Sequence, residues 1–205
     1  MSLIAPTPTI PSNLDEPAWE IAMLFPDQGH WSAEEYLSIS ERTNRLVELT
    51  NGKVEVLDMP GKTHQQIVKA IIKELDFFLE ASPLGEALIA PYPMKISEET
   101  FREPDIVFVL RENSARLTER FAEGADLVME VISKDRKRDS VTKRAEYAAA
   151  RVSEYWLIDP RDTRITVLKR QGDQYVEYGQ WGTGQRADSA LLNGFSVDVD
   201  AILNQ

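Results

Sequence analysis

Two short runs are apolar on both faces when read as strands: residues 104–110 (PDIVFVL) and 126–132 (DLVMEVI). A strand of that kind belongs in the middle of a sheet with cover on both sides. The second run carries a single carboxylate in its middle, Glu130. An ionised carboxylate buried there without a partner costs several kcal/mol. A metal ion, a basic partner or a bound proton has to compensate it.

The rest of the chain supplies what such a sheet needs. Ser32 reads as the N-cap of a short helix that begins after Trp31. Residues 45–49 (RLVEL) and 53–58 (KVEVLD) are two strands, and Thr50-Asn51-Gly52 between them offers the positive φ angles of a tight hairpin. Thr63 opens a long helix to about Leu79, with Gln66 completing a capping box. Ile67, Val68, Ile71, Ile72, Leu75, Phe78 and Leu79 fall on one face of it, and Pro83 and Gly85 end it. Residues 86–96 alternate weakly and read as one strand. A second helix spans about Ser140 to Ala150, with a close-packing stripe of Val141, Ala145, Ala148, Ala149 and Val152. Residues 154–159 (EYWLID), 164–170 and 174–179 are further strands, and weak ones follow near 187–192 and 195–199. The order predicts an α/β (α+β) fold, a mixed central sheet flanked by helices, as a single domain over 31–205. Residues 1–30 hold Pro6, Pro8, Pro11, Pro17 and Pro26 and read as an N-terminal arm, loosely ordered at its start.

Composition narrows the chemistry. With no cysteine and only His30 and His64, thiolate and multi-histidine metal sites are excluded. Any metal must be held by oxygen, which points to Mg²⁺, Mn²⁺ or Ca²⁺. No stretch approaches the roughly 20 apolar residues of a membrane span. The first residues lack the basic and apolar regions of a signal peptide. The expectation is a cytoplasmic protein with no membrane partner. The net charge of −11 opposes nonspecific binding to a polyanion. The charge is uneven, however: Lys134 to Arg144 holds six basic and two acidic residues, a local +4 where an acidic protein can still meet DNA.

Around Glu130, further residues become candidates. Asp105 opens the other central strand, so two neighbouring strands with carboxylates at matching ends can place four oxygens within reach of a metal. Glu48 is flanked by Val47 and Leu49 and by alternation shares a face with Leu46, which hints at an inward side chain. His64, read as the first residue of the long helix, can meet a phosphate or water where the helix dipole favours anions. Asp139, Lys143 and Tyr147 share a stripe at i, i+4, i+8. Periodicity alone puts that stripe opposite the alanines, on the wetter face.

Taken in order, Glu48-Leu-Thr-Asn-Gly, His64, Pro104-Asp105, Glu130-Val-Ile-Ser133, Arg138-Asp139, Lys143, Tyr147 and Glu154-Tyr-Trp-Leu-Ile-Asp-Pro160 resemble the Uma family of restriction-endonuclease-like proteins, in the PD-(D/E)XK nuclease superfamily. The resemblance spans about residues 31–180. It implies a restriction-endonuclease-like fold, a metal held by Asp105 and Glu130, and Glu48 as the carboxylate from the first element. The superfamily lysine stands two residues after the second carboxylate; here that position is Ile132, and Lys143 from the next helix is the match. His64, Arg138 and Tyr147 stand as phosphate-contacting or supporting residues. The implied activity is that of a Mg²⁺-dependent DNA endonuclease, with Mn²⁺ as substitute; duplex DNA is the expected partner, and a homodimer is expected only because two-fold symmetry suits the cutting of two strands. The alternatives are a catalytically silent nucleic-acid-binding or assembly protein that keeps the fold, a phosphodiesterase for RNA or small molecules, and a structural protein with Glu130 in a buried salt bridge.

Overall fold

The computed structural model describes residues 28–132, 136 and 138–204, so residues 1–27 of the expected arm, Ser133, and residues 134, 135 and 137 of the basic segment lie outside the described residues. Ser32 caps helix α1 (Ala33–Ser40), accepting from Glu35 N while the Glu35 carboxylate takes the Ser32 N–H at 2.9 Å. Strands β1 (Val47–Thr50) and β2 (Lys53–Val56) meet through Asn51 at φ 48° and Gly52 at φ 72°. Two successive positive φ angles are what the Asn-Gly pair provides. Residues 28–31 latch across that turn. Gly29 N and Trp31 N donate to Gly52 O (2.7 and 3.0 Å), and the Gln28 amide pairs with the Val54 backbone. The end of the expected arm is therefore built onto the hairpin.

Helix α2 (Lys62–Ala81) starts earlier than the sequence suggests. Gly61 is its N-cap, and no side chain caps it. Thr63 stands inside the first turn, so the expected capping box with Gln66 does not form, and His64 is the third helical residue rather than the first. The apolar stripe is as expected, with Ile67, Val68, Ile71 and Leu75 buried. The strand expected over 86–96 is two strands, β3 (Gly85–Ile89) and β4 (Met94–Ser97), which join different sheets. Pro91 and Pro93 lie between them, and proline cannot donate to a ladder. Strands β5 (Thr100–Arg102), β6 (Ile106–Leu110) and β7 (Leu127–Val131) follow. A π-helical turn, Arg138–Thr142, runs into α3 (Lys143–Ala149). The chain closes with β8 (Glu154–Asp159), β9 (Arg164–Gln171), β10 (Gln174–Trp181), β11 (Arg186–Asp188), β12 (Ser196–Asp198) and a helix not expected from the sequence, α4 (Val199–Leu203).

The main sheet has the order β10-β9-β8-β7-β6-β3. Its β7–β8 pair is parallel and its other pairs are antiparallel, so it is the mixed sheet expected. A smaller sheet, β2-β1-β5-β4, stands beside it, and β11 pairs with β12. The two doubly apolar runs are indeed central and covered on both faces. Ile106, Phe108, Leu127 and Met129 pack with Ile67, Ile71 and Leu75 of α2. Val107, Val109 and Val128 face the other way, with Tyr147, Ala148 and Val152. Among the described residues no helix is long and apolar enough to cross a membrane.

Alternation puts Glu130 on the face that α3 covers, and here the helix differs from expectation. Val141, Ala145 and Ala149 are exposed, whereas Asp139, Lys143, Tyr147 and Ala148 are buried. The i, i+4, i+8 spacing is kept and only the buried face differs: the polar stripe has partners on the sheet, with Lys143 and Tyr147 both bonded to Glu130, which alanines could not supply.

Candidate active site

The antiparallel register ends with Ile106 paired to Met129; Asp105 stands directly ahead of β6, one step beyond that pair and near enough for its charge to act on Glu130 of β7. Asp105 Oδ2 accepts from Val131 N at 2.7 Å, and its Oδ1 lies 3.2 Å from His64 Nε2. Glu130 Oε1 accepts from Lys143 Nζ at 2.8 Å and from the Tyr147 hydroxyl at 2.6 Å. Lys143, at the start of α3, stands between two sheets: its Nζ is also 3.7 Å from Glu48 Oε1 and 3.8 Å from Asp139 Oδ1.

Glu48, in the middle of β1, is wholly buried. Its Oε1 accepts from Glu103 N at 3.2 Å, and its Oε2 takes Arg102 Nη1 at 3.2 Å together with Arg138 Nη2. Arg138 also reaches Glu55 on β2, Nη1 to Oε2 2.8 Å. The residues named from the sequence, Glu48, His64, Asp105, Glu130, Arg138, Lys143 and Tyr147, thus form one connected network. Glu48 is surrounded by three cations within it, and Arg138 is engaged by two carboxylates.

A family description, "Putative restriction endonuclease", the Uma2 family, matches residues 33–200 of the chain. The chain belongs to the Uma2 family. Among solved structures, it is similar to a protein from Anabaena variabilis described as a putative nuclease belonging to DUF820. The TM-score is 0.67 and the identity 16%, covering 84% of this chain and 97% of that one. That likeness is one of fold. No curated protein matches the chain.

In this Uma2 protein the network's charges set one another. Burial lifts the Glu130 carboxyl above the usual carboxylate range, against the pull of Lys143. Burial also opposes the Lys143 ammonium, but the Glu130, Glu48 and Asp139 carboxylates overcome it and raise its pKa. Glu48 is driven below the usual range because Lys143, Arg102 and Arg138 together outweigh its burial. His64 is raised, since its bond to Asp105 and the nearby Glu130 and Asp139 charges outweigh burial.

Three residues in this network were not singled out by sequence: Arg102, Glu103 and Glu146. Arg102 donates to Glu48, to Thr50 and doubly to Glu146, and is 2% exposed. The available signal was the pair of charges directly ahead of Pro104-Asp105, in a run otherwise fit for a strand. Glu146 stands three residues after Lys143 on the same helix.

Among the described residues no group of three or more His, Cys, Asp and Glu is spaced to hold a metal. Asp105 and Glu130 offer a smaller donor set of two carboxylates. Both hydrogen bonds that Glu130 receives fall on Oε1, which leaves Oε2 to another cation. Mg²⁺ keeps several waters and is commonly held by one or two carboxylates plus substrate phosphate, so this donor set fits it.

Proposed function

We propose that this Uma2 protein is a Mg²⁺-dependent endodeoxyribonuclease that hydrolyses phosphodiester bonds in duplex DNA, with Mn²⁺ as a substitute. One observation carries the reading: Asp105, directly ahead of β6 and bonded to Val131 N, lies one step beyond the Ile106–Met129 pair, beside Glu130 on β7, whose carboxylate is 2.8 Å from the Lys143 ammonium. Asp105 and Glu130 would hold the ion. Bound there, it supplies a water of lowered pKa and neutralises charge on the scissile phosphate.

The chain's own groups do the rest. His64 orients Asp105 through Nε2, and Val131 N fixes its other oxygen. Tyr147 and Lys143 hold Glu130 by a single oxygen. Lys143 supplies positive charge to the oxyanion that develops on phosphorus, in a site shielded from water. Glu48 keeps Lys143 and Arg138 in place as their shared counter-charge. Arg138 and the segment 134–144 meet the backbone phosphates, and the −11 net charge confines DNA contact to that region. A homodimer suits the reaction, since two-fold symmetry matches two strands to be cut, and a cytoplasmic location goes with this substrate.

Plasmid cleavage in Mg²⁺ tests the proposal. Asp105→Ala and Glu130→Ala should each nearly abolish cutting, with Glu130→Ala first checked for a cooperative thermal transition because it takes a buried partner from Lys143, and either folded variant cutting at the wild-type rate would overturn it. A second reading has an observation in its favour: Glu130 already has an internal cation, and no three-ligand cluster accompanies it among the described residues. A catalytically silent protein that keeps the fold would bind DNA yet give no heat with Mn²⁺ in calorimetry.

A further inference from the structure

We propose that Arg102 is the positioning residue of this site: by clamping Glu146 it fixes the first turn of α3 and so sets where the Lys143 ammonium stands. Its catalytic consequence rests on the nuclease reading; the clamp itself does not.

Arg102 is the last residue of β5, in the smaller sheet. Its Nε donates to Glu146 Oε2 at 2.7 Å and its Nη2 to Glu146 Oε1 at 2.6 Å. Two parallel bonds of this kind fix orientation as well as distance. Its Nη1 donates to Thr50 Oγ1 at 2.7 Å and Glu48 Oε2 at 3.2 Å, both on β1. One buried guanidinium therefore ties two strands of the smaller sheet to α3.

Helix α3 needs such an anchor. It has seven residues, follows directly on a π turn, and no side chain caps its start. Lys143 is its first residue and Glu146 lies one turn on, so whatever fixes Glu146 fixes the backbone under Lys143. The ammonium must reach Glu130 on the main sheet at 2.8 Å and face Glu48 on the smaller one at 3.7 Å. A displacement of about 1 Å in a catalytic group costs about 10²-fold in rate. Lysine at position 102 keeps the charge but cannot make the paired bonds.

The test compares full-length wild type, Arg102→Lys and Glu146→Gln, each checked for a cooperative thermal transition. Glu146 is partly exposed, so its variant carries the test if Arg102→Lys does not fold. Acetic anhydride labelling with peptide mapping reads Lys143 against the exposed Lys73. In wild type Lys143 should be strongly protected. In the variants its labelling should rise on the order of tenfold, with Lys73 unchanged, as local opening exposes it. Folded variants that protect Lys143 as well as wild type would overturn the clamp. In cleavage assays kcat should fall by about 10²-fold while KM stays within about twofold; a rise in KM at constant kcat would also overturn it. If wild type shows the labelling contrast with the variants but cuts no DNA, the nuclease reading falls and the clamp stands.

Discussion

Lys143 Nζ lies 2.8 Å from Glu130 Oε1, with both side chains almost wholly removed from water. Either charge alone would be too costly at that depth. Together, with Tyr147 on the same oxygen and Glu48 beyond, they are tolerated. The pair also explains why a helix presents a polar stripe to an apolar sheet: the stripe completes the strand's one polar position.

Removal of the ammonium should therefore be far more damaging than loss of a surface lysine. Lys143→Met leaves Glu130 and Glu48 without their shared cation and should destabilise by about 3–5 kcal/mol at neutral pH. Adding Glu130→Gln should recover part of that loss, because the uncompensated buried charge goes with it. Urea unfolding of the two single variants and the double variant measures the coupling. A cost below about 1 kcal/mol for Lys143→Met, the range of exposed pairs, would contradict the buried-pair account.

A divalent ion held by Asp105 and Glu130 should stabilise the fold by mass action. With Mn²⁺ about a hundredfold above its dissociation constant, the gain is about 2.7 kcal/mol. It should appear as a rise in melting temperature and vanish in Asp105→Asn and in Glu130→Gln. Persistence of the rise in both variants would place the ion elsewhere.

How much of this was legible in the sequence depended on which physical signal each residue carries. Glu130 and Asp105 stood out because they interrupt or open apolar strands, and strand period is a short-range signal. Asn51-Gly52 announced its turn because few residue pairs accept two positive φ angles. The orientation of α3 was not legible. Alanines suggest close packing, and nothing local reveals that Lys143 and Tyr147 find their partners on β7, thirteen and seventeen residues earlier in the chain. Arg102 was hidden for the same reason: its partner Glu146 is 44 residues away, and a three-residue strand has too few positions to show a period. The helix start at Gly61 was missed because a glycine cap leaves no side-chain signature.

The hairpin latch gives a prediction of backbone strain. A Cβ on Gly52 would lie 2.9 Å from Gly29 C and O, at a φ of 72°. Gly52→Ala should thus cost about 1–3 kcal/mol from the left-handed conformation, with the clash added. Gly184 has a similar φ of 75° but nothing within 4 Å of its Cβ, so Gly184→Ala isolates the conformational part. Chemical denaturation of both variants measures the difference. Equal losses would mean that residues 28–30 do not pack on the turn.

Glu103 should leave a signature in the pH dependence of stability. Its Oε2 is buried with no hydrogen-bond partner, and burial, reinforced by the neighbouring Glu48 carboxylate and opposed by Lys143, pushes its carboxyl up to about 8. In the unfolded chain a glutamate titrates near about 4.3. Between those two values the folded chain holds the proton and the unfolded chain does not. Stability contributed by this group is then complete below the unfolded value and is lost as pH rises through the folded one. Glu103→Gln carries a neutral amide of the same shape and has nothing to lose in that window. It should gain on wild type steadily from about pH 5 to about pH 7.5 and level off above about pH 8. Urea unfolding of both proteins at several pH values gives the two slopes, and parallel slopes would assign the loss to another group.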